Sequence, residues 1–125
     1  MHELAYQLLQ LTYYDSVDKG DMEMAASALH EDVEWSHQQV WAHHGFPRGN
    51  PSQLRGRTAI RDLLLARRSE LAAAKIRHRV RDLICDGKVG ALIGYVLGPD
   101  SSEQPFMVWF ELRDEKIGKY ILRPI

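Results

Sequence analysis

Four of the six histidines, His30, His37, His43 and His44, fall within fifteen residues, with Trp35 and Trp41 among them. Imidazole has an unperturbed pKa of about 6.5, so it can exchange protons near neutrality. Val33, Trp35 and His37 alternate with Glu34 and Ser36, the pattern of a strand with one buried side. That phase turns His37 inward with Val33 and Trp35. His43 and His44 read equally well as exposed loop residues, and His30 as a cap on the helix before it. Three imidazoles can hold zinc or non-haem iron. Here His37, His43 and His44 lack a helical i, i+4 spacing and no carboxylate is fixed beside them, so no metal is expected. Tyr13 could donate its phenol to a developing enolate, as an oxyanion hole does. His78 lies between Arg77 and Arg79, in phase with Ile76 and Val80, and is read either as a pocket residue or as a structural one.

These residues need elements to position them. Residues 3–19 carry Leu4, Leu8 and Leu11 on one stripe and Tyr6, Leu9, Tyr13 and Val17 on another, a helix packed on two sides that ends at Gly20. Asp21 caps a second helix, built on Met22, Ala25, Ala26 and Leu29, that ends near His30. A strand over 33–37 is followed by a long loop over 38–56, rich in glycine and proline. A third helix over 58–74 buries Ile60, Leu63, Leu64 and Leu71 and shows Arg61, Arg67 and Arg68 to solvent. A strand around 76–81 leads to a hairpin turn at Asp86-Gly87. Strands over 89–97, 106–112 and 117–122 follow, the last two joined at Asp114-Glu115, while Gly90 and Gly94 mark close approach or a bulge. The order α-α-β-α-β-β-β-β predicts an α+β domain, with three helices on one face of a curved antiparallel sheet. Trp41 to Pro51 is expected to form a lid or rim over a pocket.

At 125 residues and net charge −1 the chain is sized for one domain spanning 1–125, with ordinary globular composition. No apolar run is long enough to span a membrane, and no leader pattern opens the chain, so a cytoplasmic protein is expected. Cys85, the single cysteine, has no internal disulfide partner and reads as a small apolar filler. Residues 1–54 carry −6 and residues 55–125 carry +5. The arginines between 55 and 81 are not interleaved with aromatic residues, which argues against a nucleic-acid platform. They are expected to meet the acidic half, solvent or a second subunit. Nucleotide-binding loops and the serine-hydrolase elbow are absent, and no cofactor is expected.

The run Tyr13-Tyr14-Asp15-Ser16-Val17-Asp18-Lys19-Gly20-Asp21-Met22 resembles the signature of the nuclear transport factor 2-like superfamily. Leu29 to Trp35, Gly56 to Arg61 and Asp114 to Ile117 extend the likeness over about residues 4–122, closest to the SnoaL-like branch that includes polyketide cyclases. The resemblance implies a cone-shaped, cystatin-like fold around an apolar pocket, and a homodimer formed through the outer sheet face. It is similar to ketosteroid isomerases in placing Tyr13 at their oxyanion tyrosine. His37 falls at their carboxylate base and Val108 at their oxyanion acid. Scytalone dehydratase places His37 at a pocket tyrosine and His78 at a catalytic histidine. Phase and resemblance together give the expected site: His37 as base, Tyr13 and His78 as its helpers, and Trp35, Trp41, Val108 and Phe110 as substrate-binding residues. The expected ligand is a small apolar or aromatic, carbonyl-bearing molecule, isomerised, cyclised or dehydrated by proton transfer. The alternative is a non-catalytic ligand-binding or protein-interaction domain.

Overall fold

The computed structural model describes residues 1–41 and 48–125; His43 and His44 and most of the expected lid lie outside the described residues. The first helical run covers residues 2–19. It comprises α1 (His2–Tyr6), a π-helical stretch (Gln7–Tyr14) and α2 (Asp15–Lys19). Gly20 ends it at φ 82, where the Gly20 N–H reaches the Val17 carbonyl and the Asp21 N–H reaches that of Ser16. This is the paired-bond helix terminus that glycine permits. Asp21 then caps α3 (Met22–Ala26) by accepting the Met24 N–H at 3.1 Å.

The second helix stops four residues short of the expected His30. Leu29 and His30 instead open β1 (Leu29–His37), because Leu29 pairs with Ile117 and the Ala28 carbonyl accepts the Ile117 N–H. Ladder pairing with a distant strand thus overrides the local helical period. His30 caps no helix. Its Nδ1 accepts the Asp32 N–H, so its Nε2 carries the proton and donates to Asp114 at 3.1 Å.

The expected long loop contains a strand, β2 (Ser52–Arg55), antiparallel to β1. It is a sheet edge with only Leu54 half-buried, so it carries no alternation to read. The third helix is two, α4 (Arg57–Ala66) and α5 (Arg68–Ala74), broken at Arg67, whose φ and ψ are −96° and 2°. Next come β3 (Arg77–Asp86), β4 (Val89–Leu97), β5 (Glu103–Arg113) and β6 (Lys116–Pro124). The six strands form one curved sheet in the order β2-β1-β6-β5-β4-β3, with the helices on one side. The sheet is mixed, since β1 runs parallel to β6 and only the other pairs are antiparallel.

The covered face carries Val33, Trp35, Leu92, Val96, Phe106, Val108, Phe110, Leu112, Ile117, Tyr120 and Leu122, all buried. The acidic and basic halves meet as expected: Arg55 pairs with Glu34, Arg61 with Glu23 and Arg79 with Asp15. No helix among the described residues is long and apolar enough to cross a membrane.

Gly94 makes room for the aromatic wall behind the site. It pairs with Val80 at a bulge, and a Cβ there would lie 2.6 Å from the Arg79 carbonyl oxygen and 2.8 Å from the Phe106 ring. Phe106 in turn packs edge-on to Tyr14 and His78. Gly94→Ala is expected to cost about 1–3 kcal/mol by overpacking, read as a lower denaturant midpoint. An unchanged midpoint would show that this contact carries no constraint.

Candidate functional site

The covered face of the sheet and the helices enclose a cavity of about 50 Å³. Tyr13, Trp35, His37, Trp41 and His78 all line it, so most of the residues singled out by type and phase come together. Val108 and Phe110 do not line it. Both are fully packed in the core, Val108 beside Leu92 and Leu122 in the ladder and Phe110 with its ring where a side chain on Gly90 would stand. Their phase along β5 is inward as expected, but their neighbours fill the space in front of them.

Three tyrosines supply hydroxyls to the cavity wall. The Tyr13 hydroxyl oxygen accepts the Trp35 Nε1–H at 3.3 Å, and its own proton has no acceptor among the described residues. The Tyr14 and Tyr120 hydroxyls lie 2.8 Å apart. One donates to the other, which leaves one proton of that pair without an acceptor among the described residues. Burial holds all three phenols protonated: it pushes Tyr13 up to about 12, raises Tyr14 further and holds Tyr120 well above the ordinary phenol value. A buried hydroxyl with an unmatched donor is a group prepared for an acceptor oxygen.

The two cavity histidines are held differently. His37 lies flat against Trp35, with ring centroids 5.1 Å apart and planes within 5°. No side chain among the described residues hydrogen-bonds its ring. Burial first, and then the positive charge of Arg67, push its imidazole down to about 3. His78 stacks on Tyr14 at 5.5 Å and is gripped by Asp18. One Asp18 oxygen accepts the His78 ring Nδ1–H at 2.7 Å, and the other accepts its backbone N–H at 2.9 Å. A carboxylate only accepts, so Nδ1 carries a proton and the Nε2 lone pair of the neutral ring stays open.

Asp18 is a site residue that the sequence reading passed over, and Arg67 is another. Arg67 was expected on the polar surface of one long helix. It stands instead on the stripe of Leu64 and Leu71, in the cavity wall, where it bonds Glu70 at 2.8 and 2.6 Å and Gln39 at 3.0 Å. A signal for Asp18 did exist: it stands four residues beyond Tyr14, on the inward stripe of its helix. Trp41 seats its indole against the chain at Gly98, in space that a Cβ there would occupy. Arg48 bonds the Val40 carbonyl at 3.2 Å and Gln104 at 3.1 Å. Among the described residues no cluster of three metal-ligating side chains occurs.

A family model described as SnoaL-like domain matches residues 11–120. No curated protein matches the chain. Among solved structures, a cystatin-like protein of unknown function from Methylobium petroleophilum PM1 superposes with a TM-score of 0.72 at 12% identity, over 99% of this chain and 77% of that one. A presumed ketosteroid isomerase from Kribbella flavida gives 0.67 at 17% identity, over 99% and 79%. A presumed polyketide cyclase from Sinorhizobium meliloti gives 0.66 at 16%, over 90% of each. At these identities the likeness is one of fold.

The His37 shift has a consequence for stability. Its ring resists a proton in the native state, down to about pH 3, that the unfolded chain accepts below about pH 6.5. The unfolded state therefore binds more protons in that window, and stability falls as pH drops from about 6.5 toward 3. His37→Gln should flatten this part of the stability–pH curve, measured by denaturant unfolding at stepped pH. A slope identical to that of the wild type would mean that the ring is not held neutral by its surroundings.

Proposed function

Since the chain belongs to the SnoaL-like domain family, we propose that it binds a small, apolar, carbonyl-bearing molecule and shifts a proton on it without a cofactor. One observation carries this reading. A tyrosine hydroxyl with an unmatched proton, Tyr13, and a histidine backed by a carboxylate, His78 on Asp18, line the same largely apolar cavity. A carbonyl oxygen accepting from Tyr13, and from the spare hydroxyl proton of the Tyr14/Tyr120 pair, would gain negative charge as the neighbouring carbon loses its proton. Donors already in place stabilise that charge without reorganisation. The phenols are too weakly acidic to surrender their protons, so they act by hydrogen bonding. The His78 Nε2 takes the proton and returns it to a second position, while Asp18 holds the ring in the required tautomer and stabilises the imidazolium that forms.

His37 was expected as the base. A ring titrating near 3 is too weak a base for work at neutral pH, where effective bases titrate near the working pH. The base role therefore passes to His78, and His37 becomes a neutral polar wall beside Trp35. The enclosed volume bears on the ligand. About 50 Å³ holds a few atoms, whereas ligand pockets commonly run ~300–1,000 Å³. A polycyclic or polyketide-like molecule would enter only with Trp41 out of its seat at Gly98. The same small volume favours the second reading, a domain that binds a small ligand without turning it over.

A thermal-shift screen over aromatic, steroid-like and polyketide-like carbonyl compounds, followed by turnover assays on those that bind, separates the two readings. On the enzyme reading, His78→Gln should lower kcat by ~10²–10⁴ and Tyr13→Phe should lower it with little change in fold. Full turnover in His78→Gln would remove His78 as the base. Binding with no conversion of any bound compound would favour the binding domain.

A homodimer is part of the proposal. The outer sheet face carries a cross-strand row of Ile84, Ala91, Trp109 and Ile121, with Met107 beside it. Ile84, Met107 and Trp109 are 71%, 49% and 45% exposed. Apolar exposure of this kind is what a symmetric interface covers. Light scattering should return about twice the chain mass of 14.4 kDa at micromolar concentration, and Trp109→Glu should return the single chain. A wild-type value of one chain mass would rule the dimer out. One reduced cysteine, Cys85, is consistent with a cytoplasmic setting.

A further inference from the structure

β3 is the last strand of the sheet, so alternate residues turn their backbone N–H and C=O away from β4. At His78 and Val80 the first helical run covers this edge, and both residues are half-buried there. Backbone groups withdrawn from water need partners. Gln10, only 4% exposed and set in the π-helical stretch, supplies them. Its side-chain oxygen accepts the Val80 N–H at 2.7 Å, and its Nε2 donates to the His78 carbonyl at 3.0 Å. Bonding the carbonyl of one residue and the N–H of the residue two further on is what a residue of a parallel strand does to its neighbour. The amide of Gln10 thus stands in for a seventh strand, one residue long. The second proton on Nε2 goes to Asp15 at 2.9 Å, and Asp15 also holds Arg79.

We propose that Gln10 is the positioning residue of His78; this rests on reading His78 as the proton-transfer group of the cavity. Asp18 can meet the His78 N–H and the His78 ring together only while the backbone of β3 stays at a fixed distance from α2. Asp18 acts on that backbone from the N–H of His78. Gln10 acts on it from the His78 carbonyl and from Val80, so the peptide units on both sides of Arg79 are fixed. With those two bonds gone, only the Arg79–Asp15 pair and the Asp18 bonds tie this part of the edge to the helical run, and the Nδ1–H···Asp18 bond lengthens as the edge shifts.

The test is NMR on the full chain with ¹⁵N-labelled histidine. In the wild type the His78 Nδ1–H should give a downfield signal protected from exchange. In Gln10→Leu, with the methyl fingerprint retained, that proton should exchange at least about tenfold faster or vanish. Gln10→Glu keeps an acceptor for Val80 but cannot donate to the His78 carbonyl. The Val80 amide should then stay protected while the His78 proton is still lost. An unchanged His78 signal in either folded variant overturns the proposal. Should neither variant fold, amide exchange in the wild type decides. A Val80 N–H protected as well as the interior of β4 and β5 supports the role, and one exchanging like a free edge amide overturns it. If the His78 signal responds as expected yet His78→Gln retains full turnover, the base assignment fails and the positioning role stands.

Discussion

The geometry of the cavity depends on how the first helical run grips the free edge of β3. An edge strand is held on one side only, yet β3 carries His78, whose ring must point into the cavity with one nitrogen engaged. Asp18 closes two bonds to the same residue, one to its backbone and one to its ring, so the orientation of the imidazole and the position of the strand are set together. Further along, His2 reaches the Leu83 carbonyl. The helical run therefore works as a partner strand made of side chains. It brings Tyr13 and Tyr14 to the same wall because those residues lie between the ones that make the grip. The clamp and two of the cavity's hydroxyl groups are consequently parts of one helical run, and no loop stands between them.

This accounts for the polar groups set in the wall of a largely apolar cavity. Tyr14 and Tyr120 satisfy one another, and Trp35 gives its N–H to Tyr13. Each is an aromatic body carrying a polar tip, so each packs like a core residue while keeping one group available. A low local dielectric strengthens the hydrogen bonds that are made and penalises those left open. What remains open among the described residues, the Tyr13 proton and one proton of the Tyr14/Tyr120 pair, is therefore the most informative feature of the site. Native interiors seldom leave a buried donor unmatched without a use for it.

The parts of this arrangement that were legible in the sequence are those written in local periodicity. The alternation at Val33, Trp35 and His37 put His37 beside Trp35, where the rings stack. The stripe through Leu9, Tyr13 and Val17 put Tyr13 inside. What local pattern could not carry was partnership across the chain. Asp18 meets a residue sixty positions away and Gln10 one nearly seventy away, so each reads alone as a polar surface residue. The clue was their phase, since Gln10 precedes Tyr13 and Tyr14 by three and four residues on the stripe that is buried. β2 was invisible because an edge strand of polar residues has no buried side to alternate with. Arg67 was misplaced because its charge was read as surface, although it stands three residues after Leu64 and four before Leu71, on the buried stripe itself.

The two cavity histidines show why residue type and position do not fix a role. Both line the same space and both are half-buried. His37 has the guanidinium of Arg67 as its electrostatic neighbour and no carboxylate on its ring, so a proton there meets both desolvation and repulsion. His78 has a carboxylate at 2.7 Å, which compensates the charge that an incoming proton would bring. Two identical side chains thus face nearest charges of opposite sign, a guanidinium for His37 and a carboxylate for His78. On the proposed mechanism Arg67 would act without touching the proton, because its charge in the wall disfavours a proton on His37. Its place there follows from the helical stripe it shares with Leu64 and Leu71, so a charged residue at a core position would divide the roles of the two histidines.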